Sequence, residues 1–233
     1  MQGGPDCKKE YLPQKIKKVG KLNQGILGGF SGAVGTVVGS TNRKGEDIIR
    51  AKSKKARPAS TAGQVKQQTK FALVTGFMQG VNPVLNAGLK NAARAENISP
   101  YNYASRHALM NAVAGTDENP ELDYANVLLS EGALSRIAGA TAVLTDDEVV
   151  FGWSDVPAGS KGEAADTVCL VVYNVTNREL SFSSEAARSA KTATVPAPYG
   201  TTGDALLFYL FFRSVSDPRL VSTGQYLGSA EIV

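Results

Sequence analysis

From residue 127 onward the chain keeps a β rhythm. Apolar, β-prone runs at 127–129, 137–144, 148–153, 167–174, 179–182, 193–195, 205–213 and 220–232 are separated by turn residues. About seven short strands at this spacing specify an antiparallel sandwich. The strongest apolar run, 205–212, is far below the roughly 20 residues that a bilayer span requires. It reads as a buried strand.

The N-terminal half is built differently. In residues 25–71, GILGGFSGAVGTVVGSTNRKGEDIIRAKSKKARPASTAGQVKQQTKF, glycines break Ile26, Leu27, Phe30, Val34, Val37 and Val38 into short bursts suited to strands. Glycine tolerates positive φ and close backbone approach, so turns and bulges are expected among them. Asp47–Ala51 is expected to pair back across the turn Asn42-Arg43-Lys44-Gly45 as a β-hairpin, an ordinary surface hairpin or a binding ribbon. The glycines lack both the dinucleotide spacing and the phosphate-loop ending, so no nucleotide cofactor is expected.

A basic cluster follows, and Arg50, Lys52, Lys54, Lys55 and Arg57 are the candidate anion- or partner-binding residues. The cluster precedes a predicted helix whose start is marked by Thr61 and Gln64 at capping-box spacing, where free backbone amides also favour anions. Val65, Phe71, Leu73, Val74, Phe77, Met78 and Val81 give that helix a broad apolar face. Asn82-Pro83 and Ser99-Pro100 start two more short helices, the last ending at Gly115. Tyr101, Tyr103, Arg106 and His107 fall together on it, but no carboxylate or nucleophile stands at a motif spacing, so a structural histidine is expected and no catalytic residue is assigned. The acidic stretch TDENPELDYAN lacks the glycine and terminal glutamate of a calcium loop. It reads as a linker over 116–129, between a flexible basic arm at 1–24, a hairpin plus helical unit at 25–115 and a sandwich at 130–233.

Charge divides the chain. Residues 1–70 carry 15 Lys and Arg against 4 Asp and Glu, a net of +11, whereas the other 163 residues carry 10 against 17, a net of −7. The basic end is expected to meet something acidic: nucleic acid, an anionic surface or the acidic half of another copy. Aromatic residues for base stacking are missing from the basic cluster, which argues against specific single-strand recognition. Cys7 and Cys169 read as free thiols, because two cysteines in a chain of 233 residues make no disulfide framework. No apolar secretory signal is visible at the start. The expected location is therefore the cytoplasm of a host cell or a virion.

Three aromatic positions carry a resemblance. Trp153 ends a strand, Tyr173 closes VCLVVYN and Tyr209 lies in LLFYLFF; together they resemble the core tryptophan and paired tyrosines of fibronectin type III domains across 130–233. Joined to the hairpin and short helices read from the residues above, this resemblance gives the expected fold class: an α+β chain with an N-terminal β-hairpin and short helices, then an antiparallel fibronectin type III or immunoglobulin-like β-sandwich. Gly28-Gly29-Phe30-Ser31-Gly32, Val34 through Gly39, Ile49-Arg50, Gln64 through Phe71, Tyr101-Asn102 and Tyr226-Leu227-Gly228 also make the chain resemble an uncharacterised Bacteroidota family of about this length. Asn42-Arg43 stands where that family usually has a tryptophan before Lys44-Gly45. The hairpin, arginine and Thr-x-x-Gln helix order is similar to phage and prophage structural proteins that carry a terminal fibronectin-like domain. The expected function is that of a non-enzymatic structural or interaction protein, a phage virion or prophage component that assembles as a homo-oligomer or with a protein partner. The alternative is a cytoplasmic, sequence-nonspecific nucleic-acid-binding protein. No cofactor and no metal are expected.

Overall fold

In the computed structural model, which describes residues 21–22, 29–42, 45–53, 58–155 and 159–232, the glycine-punctuated run folds as a small antiparallel sheet. Its strands are β1 (Lys21–Leu22), β2 (Phe30–Val34), β3 (Val37–Thr41) and β4 (Asp47–Ala51), paired in chain order. Gly35, at φ +56°, occupies the first position of the two-residue turn between β2 and β3, where a mirror-image turn needs positive φ. Gly39 has a second reason to lack a side chain. The Phe30 ring lies over it, and a Cβ there would approach that ring to 2.7 Å. The expected pairing of β3 with β4 is present, with Val38 opposite Arg50 and Gly39 opposite Ile49. The flexible-arm expectation for 1–24 lies outside the described residues except at Lys21–Leu22.

Compact packing divides the chain into Met1–Ala59 and Ser60–Val233. The helices, grouped with the hairpin on sequence grounds, thus belong to the C-terminal unit. The reason is visible in α1 (Ala62–Gly80). Val74, Phe77, Met78 and the following Val81 recur at helical spacing and are buried, so the helix carries an apolar stripe that needs a large partner surface. α2 (Asn82–Gly88), α3 (Lys90–Ala95) and α4 (Pro100–Asn111) continue this layer. Proline stands at the start of α2 and of α4, and Ser99 caps α4 by accepting from Asn102 N–H.

The surface that receives these helices is one face of a four-stranded sheet. Seven strands form two sheets: β7 (Thr141–Thr145), β8 (Glu148–Gly152) and β11 (Thr192–Pro196) in the order β11-β8-β7, and β9 (Thr167–Asn174), β10 (Leu180–Ser183), β12 (Ala205–Arg213) and β13 (Gln225–Glu231) in the order β10-β9-β12-β13. Val168, Leu170 and Val172 of β9, with Leu206, Phe208, Leu210 and Phe212 of β12, meet Val149, Phe151 and Val195 of the smaller sheet. The alternate residues Cys169, Val171, Tyr173, Leu207, Tyr209 and Phe211 meet the helices. A strand buried on both faces must be apolar at every position, which is why β9 and β12 are unbroken apolar runs. Each fully buried large side chain contributes about 1.5–3 kcal/mol to this layering.

Three expectations change accordingly. Residues 116–129 are not a spacer: β5 (Val113–Gly115) pairs with β6 (Pro120–Leu122), a 3₁₀ turn follows at Tyr124–Asn126, and Leu122, Val127 and Leu129 are buried in the helix-facing core. Of the three aromatic markers, only Trp153 packs between the sheets. Tyr173 and Tyr209 point the other way, Tyr173 against Phe77 and Tyr209 donating its hydroxyl to Tyr124 O at 2.9 Å. Strand edges also move: Gly139, at φ +74°, delays the start of β7 to Thr141, and residues 220–224 join the body through isolated bridges instead of extending β13.

Two buried polar knots hold loops to the sandwich. Arg188, 1% exposed at its side chain, lies 3.7 Å from Asp166 Oδ2, donates to Ser135 O at 2.8 Å and stacks 4.2 Å above the Phe212 ring. Burial lowers the affinity of its guanidinium for the proton, and the Asp166 carboxylate opposes this. Trp153 donates its indole N–H to Arg188 O at 2.7 Å. At another corner, Asp204 Oδ2 accepts from Thr201 N–H, Asn174 and Asn177. The bonds from Thr201 N–H and then Asn174 hold the Asp204 carboxyl below the usual range.

Candidate interaction surface

The candidate residue Arg50 lies on β4, and Lys52 follows the strand. Alternation along a strand places Ile48 and Arg50 on one face and Asp47, Ile49 and Ala51 on the other, and all five are exposed. Val34 is 50% exposed, Ile48 46% and Ile49 63%, so neither face of this sheet has a covered apolar core among the described residues. Arg50 and Lys52 are exposed and have no ion-pair partner among the described residues; Lys52 N–H donates to Thr36 O at 2.7 Å and so extends the ladder past Ala51. Lys54, Lys55 and Arg57 lie outside the described residues. The unit Met1–Ala59 carries 13 Lys and Arg against 4 Asp and Glu, and the remaining chain 12 against 17, so the net charges are +9 and −5.

The expected anion pocket at the start of α1 is already partly filled by the chain itself. Thr61 Oγ1 accepts from Gln64 N–H at 3.3 Å, and Gln64 Oε1 accepts from Thr61 N–H at 3.0 Å. A capping box that satisfies its own amides leaves fewer donors for an external anion.

Tyr101, Tyr103, Arg106 and His107 separate into structural roles. Tyr101 donates to Thr75 O in α1. Tyr103 donates to Glu131 Oε2 at 2.7 Å, and this bond to a carboxylate, with burial, pushes its phenol up to about 12. Arg106 lies 5.2 Å over the Tyr103 ring and pairs with Glu96 at 2.6 Å, which lowers the Glu96 carboxyl. Glu96 and Glu131 come from outside α4, and no motif spacing announces them. His107 Nδ1 is buried without a hydrogen-bond partner among the described residues. In the acidic stretch, Asp117 is held low by Lys70 at 2.7 Å and Lys66 at 3.3 Å, tying the 116–119 turn to α1. Asp123 caps the 3₁₀ turn at Ala125 N–H. No group of three or more metal-binding side chains occurs among the described residues.

Two further features have no counterpart in the sequence reading. A cleft of about 540 Å³ opens between β7 and β13, and one of about 370 Å³ between α1 and α4 is lined by Phe71, Tyr101, Ser105, Arg106 and Met110. No helix among the described residues is long and apolar enough to cross a membrane.

These features define a mixed helix-and-sheet protein with an exposed basic sheet and a doubly covered central sheet. The chain belongs to a family of unknown function, DUF6266, whose pattern matches residues 29–228. Nothing among curated proteins or solved structures matches it.

Proposed function

We propose that this chain is a non-enzymatic structural protein that assembles with further copies of itself, the basic N-terminal sheet docking and the C-terminal unit forming the body. One observation carries the reading. A small sheet needs a covered apolar face to be stable in water, yet Val34, Ile48 and Ile49 stand open on this one. A partner surface supplies the missing cover. The opposite net charges of the two units favour head-to-tail contact, which closes into rings or extends as filaments.

The body fits a fibronectin type III-like sandwich within this proposal. Its first, second and fifth strands make one sheet and its third, fourth, sixth and seventh the other, with Trp153 in the intervening core. The outward tyrosines depart from that pattern, because here they serve a helix layer that a lone sandwich lacks. A virion or prophage component is the biological setting we propose for such a chain, on the analogy of layout alone.

Size-exclusion chromatography with light scattering, at low and half-molar salt and with absorbance at 260 and 280 nm, tests the reading. A discrete protein-only oligomer is expected. A monomer at both salt concentrations refutes it. A species that carries nucleic acid and releases it in salt instead makes Arg50 and Lys52 phosphate contacts.

A further inference from the structure

The seam between the two sheets of the sandwich is closed at one end only. Gln225 Nε2 donates to Ile137 O at 2.9 Å and Gln225 Oε1 accepts from Ile137 N–H at 3.4 Å, so this side chain bridges the edges as a neighbouring strand would. Further along, among the described residues, no hydrogen bond joins β7 to β13. The cleft opens there, with Leu144, Phe208, Leu227 and Ala230 in its wall and the carboxylates of Asp146 and Glu231 on its rim.

The two edges differ. The β13 ladder with β12 shifts register opposite Phe208 and Tyr209, and Gly228 takes φ +113° beside the shift. A bulge of this kind blunts an edge. β7, with sequence TAVLT, carries no charge, no proline and no bulge. Among the described residues its outer side has no strand partner, and Val143 is 57% exposed. An unguarded edge beside a cleft that mixes apolar walls with polar groups is an acceptor geometry for strand addition, in which main-chain bonds give affinity and a pocket takes alternate side chains.

We propose that the occupant is β4 of a second copy of this chain, added to the β7 edge. β4 is itself an edge strand, at the end of the order β1-β2-β3-β4. It offers Ile48 or Ile49 to the cleft, and its basic end, Arg50 and Lys52, matches the rim. None of Arg50, Lys52, Asp146 and Glu231 has an ion-pair partner among the described residues. The charges fix the direction: β4 runs parallel to β7, which brings Arg50 and Lys52 to the ends of β7 and β13 where the carboxylates lie. The inference rests on the self-assembly reading and assigns its acceptor site.

A charge-swap pair tests it. Asp146→Lys with Glu231→Lys makes the acceptor basic, and Arg50→Glu with Lys52→Glu makes the donor acidic. Lys191 and Arg178 already sit at positive φ in this fold, so a lysine at Asp146 is compatible with its φ of +50°; unchanged Trp153 fluorescence verifies folding. Each double variant alone should self-associate at least about tenfold more weakly than the parent, because like charges are then opposed. An equimolar mixture should recover association, since each variant then supplies the complement of the other. Hydrogen exchange should also show β7 amides protected in the associated parent and open in either variant alone. Association unaffected by the acceptor changes, a mixture that fails to recover, or an associated parent with open β7 amides overturns this site while leaving self-assembly standing. A parent that is monomeric at every concentration and salt overturns both.

Discussion

Removal of the Asp166 carboxylate should be among the most damaging single changes in the C-terminal unit. Arg188 is 1% exposed at its side chain, and Asp166 supplies its only anionic partner among the described residues, at 3.7 Å. In Asp166→Ala the guanidinium stays trapped between Phe212 and Ser135 O without a counter-charge, and Glu163 N–H loses the oxygen it donates to at 2.7 Å. Breaking a buried pair from one side costs about 3–5 kcal/mol, a large part of the roughly 5–15 kcal/mol that holds a domain folded. Trp153 reports on the same place, because its indole N–H is bonded to Arg188 O and it is the single tryptophan. Urea unfolding followed by its fluorescence should show the midpoint falling by roughly 1–2 M, given slopes near the upper end of about 1–3 kcal/mol per molar. The companion variant Asp166→Ala with Arg188→Met removes the stranded charge and keeps an apolar chain over Phe212. It should cost less than Asp166→Ala alone. A loss below about 1 kcal/mol for the single change, or a double variant whose cost equals the sum of the singles, refutes the argument that an uncompensated charge is what destabilises.

Asp204 gives a pH signature. Its carboxyl is held low by Thr201 N–H and Asn174 in the folded state, so its contribution is present above the ordinary aspartate value and is lost as pH falls through the lowered one; the stability gap between parent and Asp204→Asn should shrink between pH 7 and pH 3 in urea titrations. Cys169 is buried, and burial pushes its thiol up to about 12; in a Cys7→Ser background the folded protein should resist a thiol-reactive dye at pH 8 and label stoichiometrically in urea. Gly80→Ala places a Cβ against the Tyr173 ring and hydroxyl, and overpacking of this kind costs about 1–3 kcal/mol, to be read as a lowered thermal midpoint; an unchanged midpoint would show that the helix layer shifts freely on the sheet.

Local chemistry was legible in the sequence. Thr61 and Gln64 mark the start of α1 through a capping box whose donors and acceptors lie within four residues, and Pro83 and Pro100 mark helix starts in the same way. The β3–β4 hairpin was legible because its turn carries Asn42 and Gly45. What the helices pack on was harder to read. The doubly apolar runs of β9 and β12 announce two covered faces, but the sheet that covers one and the helices that cover the other lie far away in sequence. Residues 116–129 look like a spacer because Leu122 is isolated among acids and polar groups, yet it fills a place in the core, as do Val127 and Leu129 after it. Asp166 and Arg188 were invisible for the opposite reason, since charged residues are seldom buried and nothing local pairs these two. Of the candidate site, Arg50 and Lys52 lie on and beside the exposed strand, whose hairpin was read from its turn. The complementary cleft was not legible, because its walls come from strands at opposite ends of the sandwich sequence.

The doubly covered sheet has a consequence for the order of events on the ribosome. α1 leaves the exit tunnel with Val74, Phe77 and Met78 uncovered, and β12, half of the surface they pack on, is made long after it. The nascent chain therefore carries a sticky helix layer until β12 is made, and long-range closure of this kind is slow and exposed to misassembly. Chaperone demand should consequently be set by the interval before β12 emerges, and a stop codon placed upstream of Ala205 should yield inclusion bodies.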